Sequence, residues 1–392
     1  MRKVLSFSLF LMLGLVASQL LPGALGTAYP GFKATADTLL YICLGFIMIN
    51  VGREFEIDKS RWRSYTADYF IAMATAALPW LLIVLYYIFV LLPSDLWTDS
   101  AAWKENLLLS RFAAPTSAGI LFTMLAALSL KKSWIYKKIQ VLAIFDDLDT
   151  ILLMIPLQIL MIGLKWQMFA IIAIVVVLLA VGWRWQARWN VRQDWKTILG
   201  LAVVVCALTQ AVYIATAKLY GPENSIHIEV LLPAFVVGML MKHKHIDTPT
   251  EQRVSTGISF LFMLLVGLSM PLVTGASADT AAAASVTGSQ PMMPWGTLLL
   301  HVVAVSVLSN LGKLVPLFFY RDRKVSERLA LSIGMFTRGE VGAGVIFIAL
   351  GYSLGGPALI ISVLTLVLNL ILTGGFVVWV KKLALKSCTP EA

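Results

Sequence analysis

Runs of about twenty apolar residues recur from one end of this chain to the other, and no other feature restricts its fold so severely. At a rise of 1.5 Å per residue, each run is long enough to cross a hydrocarbon core about 30 Å thick. A bilayer offers no water to backbone amides, so continuous runs of this length span it as helices. Hydrophobic residues make up 59% of the chain and charged residues 13%, against roughly 25% charged in soluble domains. No soluble core could absorb that excess. The expected fold class is an all-α membrane protein.

Twelve spans are predicted, at about 4–21, 35–52, 65–92, 106–130, 139–163, 166–183, 196–217, 226–241, 257–273, 295–319, 328–353 and 357–380. The connections are short, so residues 1–392 read as a single integral membrane domain, with a stub after Lys381. No loop carries a Walker or dinucleotide-binding motif, which argues against an ATP-driven pump and a nucleotide partner.

The net charge of +10 is explained by topology. Alternate loops, beginning with the N-terminus, hold 24 of the 31 lysines and arginines; the opposite loops hold four, Lys33, Lys104, Lys165 and Lys218. The remaining three, Arg111, Lys313 and Arg338, lie in or near spans. The positive-inside rule therefore places both termini in the cytoplasm, in a cell inner membrane, and leaves no basic surface for nucleic acid. The first segment, MRKVLSFSLFLMLGLVASQLLPGALG, has the layout of a signal peptide. Its apolar part is long for one, so it is read as an uncleaved span; the downstream topology is the same either way. Cys43, Cys206 and Cys388 are odd in number, two of them within spans, and suggest no disulfide framework.

Two weak internal matches share one spacing. ENLLLS (105–110) matches ERLALS (327–332), and MINVGREF (48–55) matches MLLVGLSM (263–270). Each pair lies seven spans apart, so the copies cross the membrane in opposite directions. The expected organisation is repeat one at about 1–163, a linking helix at about 166–183 and an inverted repeat two at about 196–382. ENLLLS leads into Pro115 and Gly119, and ERLALS into Gly334, Gly339, Gly342 and Gly344, residues that interrupt helices. Inverted repeats with interrupted helices point to a secondary transporter whose site lies near mid-membrane. Ordinary glycine packing explains the glycines but not Arg338 and Glu340 among them.

The stretch AIFDDLDTILL (143–153) contains Asp146, Asp147 and Asp149, the only charges between Val141 and Leu164. Each charge at the bilayer centre costs about 2.5–3.5 kcal/mol. Asp146 and Asp147 follow Lys138 by eight and nine residues, and Lys313 precedes Arg321 by eight. All three therefore lie about 12–14 Å from the cytoplasmic face. An aspartate paired with Lys313 would bridge the two repeats. Consecutive helical residues point about 100° apart, so one aspartate can hold Lys313 while the other faces a cavity. Asp149 shares roughly the face of Asp146 and is a possible additional carboxylate.

A buried carboxylate poised between a second carboxylate and an ammonium can carry either a proton or a hard cation, not both. That competition suffices for obligatory exchange. A purely structural ion-pair cluster is the alternative, and the unpaired aspartate counts against it. Arg338 and Glu340 are too close to pair on one regular helix and are expected to take separate, chiefly structural partners, unless one of them lines the cavity. Thr116 and Ser117 offer hydroxyl oxygens suited to sodium or lithium, or a cap for a half-helix. His301, Glu229 and Asp68 read as interfacial.

At these residues the sequence resembles the cation:proton antiporter superfamily, in particular the sodium/proton exchangers of its second family. AIFDDLDTILL resembles the paired-aspartate motif of the ion-binding helix, and NLGKLV (310–315) the lysine-bearing helix. FTRGEVGAGVIF (336–347) and AAPTSAGI (113–120) are similar to the two crossed, unwound helices. VGREFEIDKSRWR (51–63) resembles the Gly-x-Glu-x-Asp region, and 234–270 the later helices. The resemblance implies the sodium/proton antiporter fold, with two crossed, unwound helices. It implies that Asp147 carries cation and proton, that sodium binds at Asp147 with Asp146, that Asp146 pairs with Lys313, and that Thr116 or Ser117 lies near the ion. It further implies elevator-like motion, a homodimer and electrogenic exchange of two protons per sodium. Asp149-Thr150 departs from the pattern, which usually has apolar residues and a glycine there.

The expected function is sodium or lithium exchange for protons in pH homeostasis, with no cofactor and with the lipid bilayer and a second copy as partners; the chain is not expected to be an enzyme. Potassium/proton exchange on the same scaffold is the first rival. A channel would need a repeated pore-loop motif, and a non-transporting sensor would leave the buried charges unexplained.

Overall fold

The computed structural model describes residues 2–54, 62–127, 133–162, 166–192, 194–221, 226, 228, 230–242, 248–269, 285–352 and 354–388. Among these, the chain is helical, with one isolated bridge between Trp189 and Met241. In order the helices are α1 (Arg2–Leu25), α2 (Tyr29–Glu54), α3 (Trp62–Tyr86), α4 (Ser100–Leu109), α5 (Ala118–Ala127), α6 (Trp134–Ile162), α7 (Trp166–Trp185) and α8 (Trp195–Tyr220). There follow α9 (Leu231–Leu240), α10 (Pro249–Leu268), α11 (Trp295–Gly312), α12 (Val315–Phe318), α13 (Val325–Gly334), α14 (Glu340–Gly351) and α15 (Gly356–Cys388).

Six helical stretches among the described residues are long and apolar enough to cross a membrane: Leu5–Arg53, Tyr65–Leu91, Ser100–Leu125, Trp195–Tyr220, Trp295–Phe318 and Gly356–Lys386. Phe169–Trp185 and Leu231–Leu240 are shorter apolar helices. The chain is therefore an all-helical protein of membrane-spanning character. Leu5–Arg53 runs almost unbroken through the connection expected at 22–34, turned only by Gly26–Ala28 with Gly26 at φ +49°. Pro30 does not stop it, because it sits in the first turn of α2, where a missing N–H costs nothing.

The chain divides into two compact units that alternate along the sequence. The first comprises Met1–Ala24, Arg63–Met161 and Val266–Ala392; the second comprises Leu25–Trp62 and Ile162–Leu265.

In the second unit α2 packs against α8 and α9. A Cβ on Gly52 would collide with the Phe235 carbonyl, and one on Gly238 with the Ile49 carbonyl. Glycine at both positions lets the two backbones touch, which is how membrane helices gain dispersion contacts without a hydrophobic driving force. Behind them, Trp189 N–H donates to the Leu240 carbonyl at 2.8 Å and ties the chain after α7 to the end of α9.

In the first unit α15, the longest helix among the described residues at 33 residues, packs against α11 and α13. Side-chain amides bind α11 to α15: Asn310 Nδ2 donates to Asn369 Oδ1 at 2.9 Å, and Asn369 Nδ2 to Ser306 Oγ at 3.1 Å. Two further elements are interrupted. The helix begun by α4 tightens through a 3-10 turn (Ser110–Ala113) and opens at 114–117 before α5 resumes it. The α13 helix ends at Gly334 and α14 resumes at Glu340. Pro115 supplies no backbone donor and ends the first ladder. Every residue in 110–125 and in 330–339 is buried, so both openings lie inside protein, the only place at membrane depth where non-helical backbone is tolerated.

Candidate functional site

The two interruptions meet. Ser117 N–H donates to the Thr337 carbonyl at 3.0 Å, and Thr116 Oγ1 donates to the Met335 carbonyl at 3.1 Å. Gly339 makes the approach possible, because a Cβ there would overlap Ile120 Cδ1 and Ser117 Oγ. Orphan N–H groups before α5 thus lie beside orphan carbonyls after α13, the partially positive and partially negative ends of two helices.

Each end has collected a charge of opposite sign. Asp146, on α6, accepts the Thr116 backbone N–H at 2.6 Å through Oδ2. Lys313, the residue that closes α11, places Nζ 3.0 Å from both Asp146 oxygens and 3.1 Å from Thr116 Oγ1. The Asp146 and Lys313 side chains are both fully buried, at 0% exposure, so the ion pair is shielded from solvent screening. At the other end, Arg338 Nη1 donates to the Met335 carbonyl at 3.0 Å and Nη2 to the Ser309 carbonyl at 3.4 Å. Met335 therefore receives both Thr116 and Arg338. Arg338 makes no ion pair among the described residues; its partners are carbonyls of a helix end and of α11.

Of the residues singled out in the sequence, Thr116, Asp146 and Lys313 form one hydrogen-bonded network, and Arg338 joins it through Met335. Ser117 Oγ accepts the Ile120 N–H at 3.4 Å at the start of α5. The side chains of Asp147 and Glu340, and Glu229, lie outside the described residues, so the sodium expected at Asp147 does too. His301 lies away from this network, with Nδ1 2.8 Å from the Tyr86 hydroxyl. Asp68 is buried and pairs with Lys138 at 2.8 Å.

Asp149 and Arg111 form a second buried group next to the first. Arg111 follows α4 and is fully buried; its Nη2 donates to the Asp149 backbone carbonyl at 3.0 Å. Its guanidinium stacks on Trp80, 5.0 Å from the ring centroid, and Trp80 is itself held by Nε1 donating to the Leu107 carbonyl at 2.8 Å. The Tyr69 ring meets Phe145 of α6 edge-on, with ring centroids 5.6 Å apart. In the sequence Arg111 is only one more basic residue inside a span, and Tyr69 is one of 11 tyrosines. An arginine beside a helix-breaking proline is the one hint that it stays inside the protein.

In three dimensions the chain is similar to the sodium proton antiporter MjNhaP1 from Methanocaldococcus jannaschii, with a TM-score of 0.55 and 14% identity, covering 94% of this chain and 92% of that one. No family model and no curated protein sequence matches the chain. At that identity the likeness establishes the fold.

Proposed function

We propose that the chain is a secondary antiporter that exchanges sodium or lithium for protons across the inner membrane, with both termini in the cytoplasm. The observation that carries the reading is the buried Asp146–Lys313 pair set on the Thr116 amide where two interrupted helices meet. A structural ion pair needs no unwound backbone beside it; an ion site at mid-membrane does. The shared fold with a sodium proton antiporter supports the same reading.

In this proposal twelve spans form two inverted repeats, the interrupted helices are the crossed, unwound pair, and Asp147 is the carrier. Its carboxylate takes either a proton or a hard monovalent cation, and Thr116 and Asp146 supply oxygens nearby. Because one carboxylate serves both ions, neither crosses without the other returning, and no cofactor is needed. Lys313 holds Asp146 while the carrier is empty; when a cation takes Asp146 the ammonium gives up its proton, so with the carrier's own proton two are exchanged per sodium and the cycle is electrogenic. Alternating access follows from elevator-like motion of one unit, in a homodimer that serves pH homeostasis. Arg338 holds the segment before α14 through the Met335 and Ser309 carbonyls.

Reconstitution tests this directly. Proteoliposomes with an internal pH dye are expected to lose an imposed proton gradient on addition of sodium or lithium, and Asp147→Asn to abolish the response. Silence toward sodium, lithium and potassium alike sinks the antiporter; a response to potassium alone reassigns the cation on the same scaffold.

A further inference from the structure

Between the 3-10 turn and α5 the backbone of 114–117 has no helical ladder, and its donors show what holds it. Ala114 N–H donates back to the Arg111 carbonyl at 3.0 Å, Pro115 has no donor, Thr116 N–H goes to Asp146, and Ser117 N–H goes to the Thr337 carbonyl. Arg111 is thus the residue at which the ladder ends, and its side chain leaves the turn to reach α6. Its Nη2 donates to the Asp149 carbonyl at 3.0 Å. The interrupted stretch therefore grips α6 at two places: a side chain on the main-chain carbonyl at 149, and a main-chain amide on the side chain at 146. Asp147 falls between them in the sequence.

A neutral amide side chain would donate to that carbonyl without burying a charge. The guanidinium is fully buried, and Nε and Nη1 make no hydrogen bond among the described residues, so hydrogen bonding alone does not account for it. What an arginine adds is a rigid planar fork with a face that stacks. That face lies on Trp80, 5.0 Å from the ring centroid, and Trp80 Nε1 is fixed in turn on the Leu107 carbonyl at 2.8 Å. The arrangement keys α3, α4 and α6 together at one height.

We infer that Arg111 is a positioning residue: it fixes the stretch 114–117 on α6, and so sets how closely oxygens gather around a cation at Asp147 and which of lithium and sodium is preferred. The inference rests on the antiporter reading and deepens it. The two ions carry one charge each and differ in radius, so a site tells them apart by the size and rigidity of its cradle. A looser cradle penalises the smaller ion more, because lithium depends on the closest approach of its oxygens. A lysine at 111 keeps the charge but has neither the fork nor the stacking face, which separates position from charge.

In proteoliposomes, cation titrations of the proton response give KM and maximal rate for each ion. Arg111→Lys is expected to raise the sodium KM about tenfold and the lithium KM further, with the maximal rate within about twofold of wild type. The lithium-to-sodium KM ratio is the deciding number, because losing a merely structural tie lowers the thermal midpoint and leaves that ratio where it was. Trp80→Leu removes the stacking face and keeps the guanidinium; Trp80 is half-buried, so the fold has room for the change. It is expected to raise the same ratio by about threefold or less, and it decides the matter if Arg111→Lys does not fold. An unchanged ratio in a variant that exchanges, or exchange lost in both, overturns the inference. Wild-type vesicles that exchange neither sodium nor lithium overturn the antiporter reading instead.

Discussion

Lys138 and Asp68, seventy residues apart in the chain, form an ion pair of 2.8 Å at the foot of the helix that carries Asp146. The other Asp68 oxygen accepts the Tyr320 hydroxyl at 2.7 Å, and the Lys138 ammonium lies 5.1 Å from the Tyr320 ring centroid. Tyr320 adopts φ +52°, a left-handed conformation that a bulky residue takes only when its contacts impose it. The cluster thus fastens α6, eight residues before Asp146, to the segment seven residues after Lys313. Asp68→Asn is expected to destabilise the protein by about 1–3 kcal/mol, read as a lower thermal midpoint in detergent.

The same cluster sets a pH dependence. Burial, and then the Asp68 charge, push the Tyr320 phenol above its ordinary value. A raised folded-state value means that the cluster is intact below about pH 10, where the unfolded phenol is also neutral. Stability is then lost as pH rises past that point, because only the unfolded chain gives up its proton. Thermal midpoints measured from pH 8 to 11 are expected to fall more steeply above pH 10 in the wild type than in Tyr320→Phe. Parallel curves would remove Tyr320 from the account.

Breaking the central pair should cost more than deleting it. Lys313→Met or Asp146→Leu alone leaves one buried charge without its partner, a loss of about 3–5 kcal/mol. The double variant strands neither, so its unfolding midpoint is expected above that of the worse single variant. Strict additivity in the cycle would mean the two side chains do not interact in solution.

Glycine substitutions separate contact from composition. Gly52→Ala and Gly238→Ala force α2 and α9 apart and are expected to cost about 1–3 kcal/mol each. Gly200→Ala, in α8, meets nothing within 4 Å and is expected to be neutral or to stabilise by up to about 1 kcal/mol. Equal effects at the three sites would contradict the crossing described.

Glu105 anchors the segment before α11. Its oxygens accept Val286 N–H at 3.0 Å, Thr287 N–H at 2.8 Å and Thr287 Oγ1 at 2.9 Å. Glu105→Ala frees these donors, and amide exchange across 285–289 is expected to speed up roughly tenfold, read by mass spectrometry. Unchanged exchange would mean that other contacts hold the segment.

Parts of this arrangement are legible in the sequence because they depend on local chemistry or depth. Pro115 and the glycines after Ser332 mark both interruptions, and counting residues from Lys138 and Arg321 puts Asp146 and Lys313 at one level. The division into two interleaved units is not legible, since it depends on which apolar faces meet, and apolar faces look alike. Nor is the company of Asp149. Arg111 reaches it across 38 residues, and no local pattern records a contact between separate helices. The bond from the Ile120 N–H to Ser117 Oγ was open in the sequence because capping and ion binding ask for the same hydroxyl.

The shortest contact to Asp146 comes from a main-chain amide, that of Thr116. A donor of that kind belongs to no side chain, so exchanging Thr116 for Ala, Val or Ser leaves it in place. A mutational scan of this position would register only the hydroxyl and would rank the site as tolerant. Proline, or an ester in place of the amide, is the edit that reaches it. Part of the machinery around Asp146 is therefore invisible to ordinary genetics, written in the one portion of the polymer that every residue but proline shares.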